Sequence, residues 1–467
     1  MGDSLLQQLH ETLAPFNQEH VLQFWEELNS EERQSIARQI QALDLAQLDE
    51  LWKRRDFQST QEDFTGRISS PPSYRLHDSK QDISRQQAED AGEATLRAGA
   101  VGVVIVAGGQ GSRLGFPHPK GMYPIGSVSG ATLFQILIEK VRAVGNRFGV
   151  HLPVYVMTSP ATHHETVDFF DKHDRFGLRK EDLAVFCQGV MPAVESATGK
   201  LLLQDKASLC LSPDGHGGLL AALDRAHLFQ AMRTRGVDCL FYVQVDNPLA
   251  PVAEPQYLGY HTLSHSDVTT LVIEKRNAFE KVGNVVAIDG KLRIIEYSDF
   301  PKEQAVAQAS DGSLLSWAGN IAVHVFDVAF LEEAVSGRIE MPFHPACKKL
   351  PCISQLGQRV DPAEPNAVKF ERFIFDLLPA ADRASVVEVD RKETFAPVKN
   401  PPEAEHDTPE TAQAQMGRIY RSWLQKAGIQ VEGGAPVEIS PLFAWDVQEL
   451  RDKLSSKTTI NRPTYLR

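Results

Sequence analysis

The sequence has few of the features that mark a secreted, membrane or nucleic-acid-binding protein. Its 467 residues include only five cysteines, none in a C-x-x-C pair, so neither a disulfide framework nor a zinc site is expected. Lysine and arginine number 48 against 61 aspartate and glutamate, which gives a net charge of −13. This shortage of positive charge disfavours general binding to nucleic acid or to an anionic membrane. The apolar runs are too short to span a bilayer.

The amino-terminal segment also lacks the basic region and unbroken apolar stretch of a signal peptide. Together with the dispersed cysteines, which are typical of reduced thiols, this predicts a cytoplasmic protein. Apolar residues make up 42% of the chain and charged residues 23%, as in ordinary globular proteins. A chain of this length is too long for one compact core, so two or three domains are expected.

The most informative segment that is present runs from Val101 to Gly121 and reads VGVVIVAGGQGSRLGFPHPKG. Its β-branched apolar start predicts a strand covered on both faces, in the middle of a parallel sheet. The glycines that follow remove every Cβ from the turn, so that main-chain N–H groups can approach a phosphate or a base. Arg113 and Lys120 add two positive charges suited to phosphate oxygens. The segment therefore predicts a nucleotide-binding loop.

Two common nucleotide-binding motifs do not fit this segment. The chain has no G-x-x-x-x-G-K-[ST] sequence, which argues against a P-loop. The Gly109-x-Gly111 pair lacks the third glycine of the dinucleotide-binding fingerprint. A nucleotide site at this loop is therefore expected to belong to another class.

Secondary-structure patterns predict an α/β fold with a mixed, largely parallel sheet and helices on both faces. A helical appendage is expected over residues 4–54, and a long polar loop over 57–93. Strands are expected at 101–107, 153–158, 183–187, 239–245, 268–274, 283–288 and 320–326. Helices are expected near 132–147, 162–173, 219–235, 328–335, 366–378 and 408–427.

The predicted domains are a helical segment with a wrapping loop over 1–95, a catalytic domain over 96–400 and a small carboxyl-terminal region over 401–467. Ligands of such sheets bind at the carboxyl ends of the strands, where the glycine loop falls.

Three further motifs could contribute to a phosphate cleft, and each also has a purely structural interpretation. Gly215 belongs to a glycine-rich loop before a helix, which suits an anion or a simple helix entry. Asp246 follows an apolar strand, where a carboxylate could bind Mg²⁺ or cap a turn. Gln188 carries the donor and acceptor needed to pair with uracil, although surface glutamines are common.

The whole string A-G-G-Q-G-S-R-L-G followed by P-K-G resembles the signature loop of the UDP-sugar pyrophosphorylases, most closely that of the UDP-N-acetylhexosamine enzymes. The resemblance extends from the helical start to about Asn400 and returns at Glu438-Ile-Ser-Pro-Leu442. It implies the nucleotide-diphospho-sugar transferase fold, which is Rossmann-like and GT-A-like, and a uridylyltransferase that uses Mg²⁺.

The resemblance also implies a role for each matching residue. Catalytic roles fall to Arg113, Lys120 and Lys399, the last of which lies in an F-x-P-[LV]-K-N motif. Nucleotide binding falls to Ala107, Gly108, Gly109, Gln188, Gly215, Asp246 and Lys369, with Asp246 as the metal ligand. Sugar binding falls to His216, Gly283, Glu296, Tyr297 and Asn320.

The chain departs from the family pattern at two motif positions. His216 stands where the hexosamine enzymes usually carry asparagine, as in the glucose-1-phosphate enzymes, and Ala367 replaces a glycine. The sugar is therefore expected to be N-acetylglucosamine 1-phosphate, with glucose 1-phosphate or a broad range as the alternative. Two other possibilities are a UTP-binding regulator without turnover and a partner-docking protein that uses the helical amino-terminal residues. A monomer or weak homodimer is expected.

Overall fold

The computed structural model describes residues 2–54, 67–78, 81–455 and 458–467, without the side chains of residues 2 and 3. The chain divides into two compact units. The first unit comprises Met1–Asp63, Gly189–Gly218 and Met341–Asp376, and the second comprises Phe64–Gln188, Leu219–Glu340 and Leu377–Arg467. The predicted domain division at residues 95 and 400 stays a prediction.

The first unit begins with helices, as the apolar spacing of residues 4–54 predicts. They span Gly2–Leu13, Ser30–Gln41 and Leu45–Lys53, with single turns of 3-10 helix at Ala14–Phe16, Glu19–Leu22 and Trp25–Glu27. Asn29 begins the second helix, since its side chain accepts hydrogen bonds from the N–H groups of Glu31 and Glu32, both at 3.0 Å. The apolar helix faces pack against Val194 and Phe370 of the same unit.

Small antiparallel sheets complete the first unit. Val190–Pro192 pairs with Leu211–Pro213, Leu203–Asp205 with Ser208–Leu209, and Cys352–Ile353 with Arg359–Val360. Ala367–Glu371 pairs with His344–Lys348 and Val194–Glu195.

The predicted helix at 366–378 is therefore wrong. Val368 and Phe370 are buried, whereas Lys369 and Glu371, which follow them in turn, are half-buried, so these residues follow the two-residue period of a strand. A 3-10 helix at Ile374–Ala380 follows.

The second unit is built on a sheet of eleven strands. Along its main path the order is Ser73–Tyr74, Ala384–Glu388, Val268–Glu274, Ala318–Asp327, Cys239–Gln244, Val101–Val106, Val154–Thr158 and Leu183–Cys187. Ala318–Asp327 is antiparallel to both neighbours, whereas the other neighbouring pairs are parallel. Asn284–Ile288 pairs with Lys291–Ile295, with Ile68–Ser69 and with residues 318–319. The predicted mixed, largely parallel α/β fold is confirmed.

Helices of the second unit alternate with these strands. They span Arg85–Arg97, Leu133–Phe148, His163–Lys172, Leu219–Arg225, Leu228–Arg235, Pro255–Leu263, Lys302–Ala305, Val328–Glu333, Arg391–Thr394, Pro409–Lys426 and Val447–Lys453. The single helix predicted over 219–235 is broken at His227, whose φ is 55°. The last two short sheets pair Gln430–Val431 with Thr459–Ile460 and Val437–Ile439 with Thr464–Leu466.

The polar loop predicted over 57–93 is wrong at its end, where the helix Arg85–Arg97 begins; its residues 57–66 and 79–80 lie outside the described part. This helix packs tightly on the helix Pro255–Leu263. A Cβ added to Gly92 would lie 1.7 Å from the carbonyl oxygen of Pro255, and one added to Gly259 would lie 1.6 Å from that of Ala88. Because glycine and alanine form this contact, the sequence lacks the apolar period by which helices are found.

The sheet brings several loops to one edge. The parallel strands Val101–Val106, Val154–Thr158, Leu183–Cys187 and Cys239–Gln244 all end there, and the antiparallel strand Ala318–Asp327 begins there. None of the helices in the described ranges is both long and apolar enough to cross a membrane.

Candidate functional site

The glycine loop after the strand Val101–Val106 closes on itself. The main-chain N–H of Lys120 donates to the carbonyl oxygen of Gly109 at 3.0 Å, and that of Gly111 donates to His118 at 2.9 Å. A single β-bridge joins Gln110 to Pro119. Lys120 is thereby held beside the start of the loop, although ten residues of sequence lie between it and Gly109.

The glycines of this loop serve different purposes. A Cβ on Gly111 would lie 2.8 Å from the carbonyl oxygen of Phe116, so packing requires glycine there. A Cβ on Gly108 would lie 2.7 Å from Oε1 of Gln188 and would displace the end of that side chain. A Cβ on Gly109 would meet no protein atom within 4 Å. Protein packing therefore does not explain Gly109, whereas close approach of a ligand would.

Gln188 and the loop are held side by side at the sheet edge. The Gln188 side chain is buried, and its main-chain N–H donates to Thr158 at 2.8 Å. The Ser159 hydroxyl donates to the carbonyl oxygen of Gly108 at 2.7 Å, while Ala107 donates its N–H to Met157 at the same distance. The structure thus brings together the predicted nucleotide residues Ala107, Gly108 and Gln188, and it adds Ser159, which sequence analysis missed.

Lys120 and Asp246 form the charged centre of this edge. The Lys120 Nζ lies 3.7 Å from the Asp246 Oδ2, and the two side chains are 18% and 12% exposed. The strand that ends before Asp246 is parallel to the strand that ends before the glycine loop, so their following residues meet.

Asn247, next to Asp246, has a structural role that sequence analysis did not assign to it. Its side-chain oxygen accepts hydrogen bonds from Leu249 at 3.2 Å and Ala396 at 3.1 Å, and its amide donates to Thr394 at 2.8 Å. Asn247 therefore fixes the segment that leads to Lys399.

Lys399 lies beside the same centre. The N–H of Val398 donates to the carbonyl oxygen of Asp246 at 2.8 Å, and that of Lys399 donates to Asp407 at 2.7 Å. Burial raises the pKa of Asp407, while the positive charge of Lys399 acts in the opposite direction. The Lys399 and Arg113 side chains are both exposed. The two cations can therefore reach a ligand in solvent without breaking a buried contact.

The predicted sugar-binding residues of the second unit form a separate group at this edge. The N–H of Asn320 donates to Gly283 at 2.8 Å. A Cβ on Gly283 would lie 3.5 Å from both the Asn320 Cβ and the Glu296 Oε1, so these three residues are neighbours. The Asn320 side-chain oxygen, Oδ1, accepts a hydrogen bond from the main-chain N–H of Ala322 at 2.9 Å. Tyr297 lies at the surface, 48% exposed.

Lys275, which sequence analysis missed, is buried next to this sugar group. Its ammonium donates to the Asn284 Oδ1 at 2.5 Å, to the Ser316 hydroxyl at 3.3 Å and to the carbonyl oxygen of Ala278 at 3.4 Å. Burial lowers the pKa of Lys275 from 10.5 to about 8, against the opposing charge of Glu280. Because Asn284 follows Gly283 directly, Lys275 ties together the loops that carry the sugar group.

The pH dependence of stability should reveal this buried ammonium. Unfolded Lys275 binds its proton more tightly than the folded state does, so the free energy of unfolding should rise as pH increases from about 8 towards 10.5. In Lys275→Met this contribution is absent. The free energy of unfolding of wild type minus that of the variant, measured by urea denaturation, is therefore expected to increase between pH 7.5 and pH 9.5. A pH-independent difference would contradict the prediction.

Gly215, His216 and Lys369 lie in the first unit. Gly215 has a φ of +83°, and a Cβ there would lie 2.4 Å from the carbonyl oxygen of Arg372. The His216 Nδ1 accepts a hydrogen bond from the N–H of Ile374 at 3.2 Å. Burial lowers the pKa of His216 to about 4, so its ring is neutral near pH 7 and carries its proton on Nε2. Lys369 lies at the centre of the strand Ala367–Glu371.

The donor set of the second unit fits a metal that needs few protein ligands. Within the described ranges, no group of three or more His, Cys, Asp or Glu side chains is placed to hold a metal ion. Asp246 is a single carboxylate at a strand end, opposite a lysine. Magnesium commonly takes one or two carboxylates and completes its shell with water and substrate phosphates, so Asp246 fits Mg²⁺.

A family model described as UTP--glucose-1-phosphate uridylyltransferase (UDPGP) matches residues 52–418. UDP-N-acetylhexosamine pyrophosphorylase-like protein 1 of Homo sapiens is 37% identical over 438 residues, which cover 90% of this chain and 86% of that protein. UDP-N-acetylglucosamine pyrophosphorylase of Saccharomyces cerevisiae is 37% identical over 366 residues, 77% of each chain.

Solved structures of UDP-sugar pyrophosphorylases are similar in fold to this chain. The uridine diphosphate N-acetylglucosamine pyrophosphorylase of Trypanosoma brucei has a TM-score of 0.82 at 25% identity, and the match covers 99% of this chain and 98% of that one. UDP-glucose pyrophosphorylase of Leishmania major shares the fold, with a TM-score of 0.63 at 16% identity over 83% of this chain and 79% of that one. The extent of these matches shows that the chain belongs to the UTP--glucose-1-phosphate uridylyltransferase family, a family of nucleotidyltransferases.

Proposed function

We propose that this protein transfers the uridylyl group of UTP to N-acetylglucosamine 1-phosphate, giving the UDP-sugar and pyrophosphate. The observation that carries the proposal is the Lys120–Asp246 pair, whose charged atoms lie 3.7 Å apart. The pair stands at the same sheet edge as Gly109, where protein packing leaves space for a ligand. Fixed charges beside an open main-chain loop suit a triphosphate.

The reaction asks for positioning and charge neutralisation. The second pKa of a phosphate monoester is about 6, so the attacking oxygen is already mostly anionic at neutral pH and no general base is required. We assign Lys120 and Arg113 to the β and γ phosphates of UTP, and Lys399 to the incoming sugar phosphate. Each such cation can be worth a few kcal/mol in the transition state.

Mg²⁺ is proposed as the cofactor, with Asp246 as its ligand. When bound, it would offset negative charge on the phosphate oxygens as the α–β bond breaks. The carboxylate of Asp246 also orients the Lys120 ammonium, which lies within ion-pair distance. The chain itself thus contributes a fixed pair of opposite charges. The main-chain hydrogen bond from Val398 to Asp246 helps to hold Asp246 in place.

Uracil recognition is assigned to Gln188. Its amide oxygen can accept from the uracil N3–H while its NH2 donates to the neighbouring uracil carbonyl, and an amide held in that orientation does not match cytosine. Burial and the Thr158 contact fix the residue next to Gly108. The first unit contains His216, whose role in choosing the sugar remains a prediction.

The names of the relatives support the choice of sugar, because the yeast protein with 37% identity is a UDP-N-acetylglucosamine pyrophosphorylase. The UDP-glucose pyrophosphorylase of Leishmania major, at 16% identity, supports the fold alone. No relative supports a regulator without turnover. We further propose a cytoplasmic location, because the five cysteines are free thiols, and a monomer or weak homodimer.

The decisive experiment combines purified protein, Mg²⁺ and UTP with a panel of sugar 1-phosphates, and detects pyrophosphate. The expected result is the highest kcat/KM with N-acetylglucosamine 1-phosphate and low activity when CTP replaces UTP. Preference for glucose 1-phosphate would overturn the choice of sugar. UTP binding in calorimetry without pyrophosphate release from any sugar phosphate would overturn the enzymatic proposal.

Replacing Gly109 by alanine tests the open loop. The new methyl group meets no protein atom within 4 Å, so the free energy of unfolding should not fall. If UTP lies against this loop, KM for UTP should rise about tenfold or more, as expected when one methyl group disturbs a pocket. Steady-state kinetics and urea denaturation measure the two effects.

Gly417→Ala is the control for this variant, because Gly417 lies inside the helix Pro409–Lys426 and has only the end of Arg421 nearby. It should leave KM for UTP unchanged. If KM for UTP is also unchanged in Gly109→Ala, UTP does not bind against this loop.

A further inference from the structure

The carboxyl-terminal motif Glu438-Ile-Ser-Pro-Leu442 has no role in the proposed reaction, yet it begins with a buried carboxylate. Glu438 lies in the strand Val437–Ile439 and is 3% exposed. Its Oε2 accepts hydrogen bonds from the N–H groups of Val128 and Ser129, both at 2.9 Å. Its Oε1 accepts from the Ser129 hydroxyl at 2.5 Å. Three donors from one turn therefore converge on a single carboxylate.

The turn that Glu438 binds, residues 126–131, is shaped around this carboxylate. A Cβ on Gly126 would lie 2.6 Å from the Glu438 Oε1, so only glycine fits. The N–H groups of Ile125 and Gly126 both donate to Ala131 at 2.9 Å, and the Ser129 hydroxyl oxygen accepts from the Ala131 N–H at 2.9 Å. Glu438 supplies the acceptors that the top of the turn lacks by itself.

Main-chain hydrogen bonds connect the base of this turn to Lys120. The N–H of Leu133 donates to Tyr123 at 3.1 Å, and that of Tyr123 donates to Lys120 at 2.9 Å. A β-bridge between Pro124 and Thr132 lies next to the Leu133–Tyr123 bond and closes the turn at its base. Lys120 in turn donates to Gly109. A displacement of the turn would therefore also displace Lys120.

The same carboxyl-terminal segment also holds the helix that follows the turn. The Ser440 hydroxyl donates to the Glu139 Oε2 at 2.7 Å, and the Gln135 amide donates to the Glu139 Oε1 at 2.8 Å. Glu139 and Ser440 are both buried. Glu438 thus holds the turn and Ser440, two residues later, holds the helix. The carboxyl-terminal strand therefore stabilises this part of the second unit.

We propose that Glu438 is a positioning residue for uridylyl transfer, which holds Lys120 in place through the turn at residues 126–131. The inference rests on the proposed function, because it assumes that Lys120 binds the phosphates of UTP. It assigns a role in the reaction to the carboxyl-terminal region, in which Glu438 lies.

The test is Glu438→Gln, which keeps the volume of the side chain but turns an amide donor towards the donors of the turn. Because small displacements of a positioning contact can cost up to about a hundredfold, kcat/KM for UTP is expected to fall between about tenfold and a hundredfold. KM for the sugar 1-phosphate should stay within about twofold of wild type. Ser129→Ala, which removes one of the three donors, should give a smaller loss in the same direction, and it serves as the test if Glu438→Gln does not fold.

Glu449→Gln is the matched control. Glu449 is also a carboxylate of the carboxyl-terminal region, and it accepts from the Trp445 N–H at 2.9 Å. It contacts Arg147 at the far end of the helix Leu133–Phe148, at 3.4 Å. The variant should lose stability in urea denaturation but keep kcat/KM for UTP. Equal losses of activity in Glu449→Gln and Glu438→Gln would show a general structural effect and overturn the inference.

A double-mutant cycle with Lys120→Ala separates the two proposals. If Glu438 acts through Lys120, Glu438→Gln should cause little further loss of kcat/KM when Lys120 is already alanine. Full additivity, or normal activity of Glu438→Gln and Ser129→Ala, overturns the positioning role while the role of Lys120 stands. Normal activity of Lys120→Ala overturns the role of Lys120 in the proposed function, and the positioning role with it.

Discussion

Replacing Lys120 by alanine is expected to lower kcat for UDP-sugar formation at least about a hundredfold, with folding intact. The ammonium is placed next to Asp246 and held beside Gly109 by its own main chain, so its charge is fixed before UTP binds. A fixed charge needs no reorganisation as negative charge moves to the departing pyrophosphate, whereas water in the enlarged space would have to reorient. Steady-state rates of pyrophosphate release measure the effect.

This variant should lose some stability but still fold. The Lys120 and Asp246 side chains are only 18% and 12% exposed, so removing the ammonium leaves a largely buried carboxylate without its counter-charge. Urea denaturation measures this loss. Lys206→Ala is the control, because Lys206 is an exposed lysine that pairs with Glu27 in the first unit. It should retain full activity. If Lys120→Ala keeps turnover within a few-fold of wild type, Lys120 does not neutralise the phosphates.

Replacing Asp246 by asparagine should have an effect of similar size, at least about a hundredfold on kcat. Asparagine keeps the shape of the side chain and one neutral oxygen but removes the negative charge that a hard cation requires. The variant should also need a higher Mg²⁺ concentration for half-maximal activity. A titration of activity against Mg²⁺ in wild type and variant separates this shift from a simple loss of rate.

The control for this variant is Asp205→Asn. Asp205 is an exposed carboxylate whose oxygen caps the N–H of Ala207 at 2.8 Å. Its loss should leave both kcat and the Mg²⁺ requirement unchanged. An Asp246→Asn enzyme with wild-type Mg²⁺ dependence would show that the carboxylate is not the metal ligand, even if its turnover is low.

Local sequence patterns found most of the second unit because they report residues that are adjacent in the chain. The run Val101–Val106 is apolar at each position outside Gly102, and it forms a central strand buried on both faces. The same reasoning failed at Ala367–Glu371. There, the apolar residues have the spacing of a helix and continue into the following turn. Pairing with His344–Lys348 nevertheless makes the segment a strand. Strand partners far away in sequence leave no local signal.

Sequence analysis also missed residues whose role is to support others. Asn247, Lys275 and Glu438 each satisfy polar groups of distant loops, at Thr394, Asn284 and Val128 respectively. A buried lysine or glutamate looks the same in a sequence as an exposed one, so neither composition nor spacing reveals it. At Glu438 the resemblance of Glu438-Ile-Ser-Pro-Leu442 indicated a motif but not what the carboxylate contacts.

The sequence by itself determined the α/β class, seven of the eleven strands of the sheet, and the glycine loop with its neighbouring cations, because each depends on the order of nearby residues. The tertiary structure alone decided that Lys120 stands 3.7 Å from Asp246 and that Gln188 borders Gly108. These contacts exist because parallel strands distant in sequence end at one edge of the sheet. Strand order, which the chain achieves only on folding, sets which loop ends meet there.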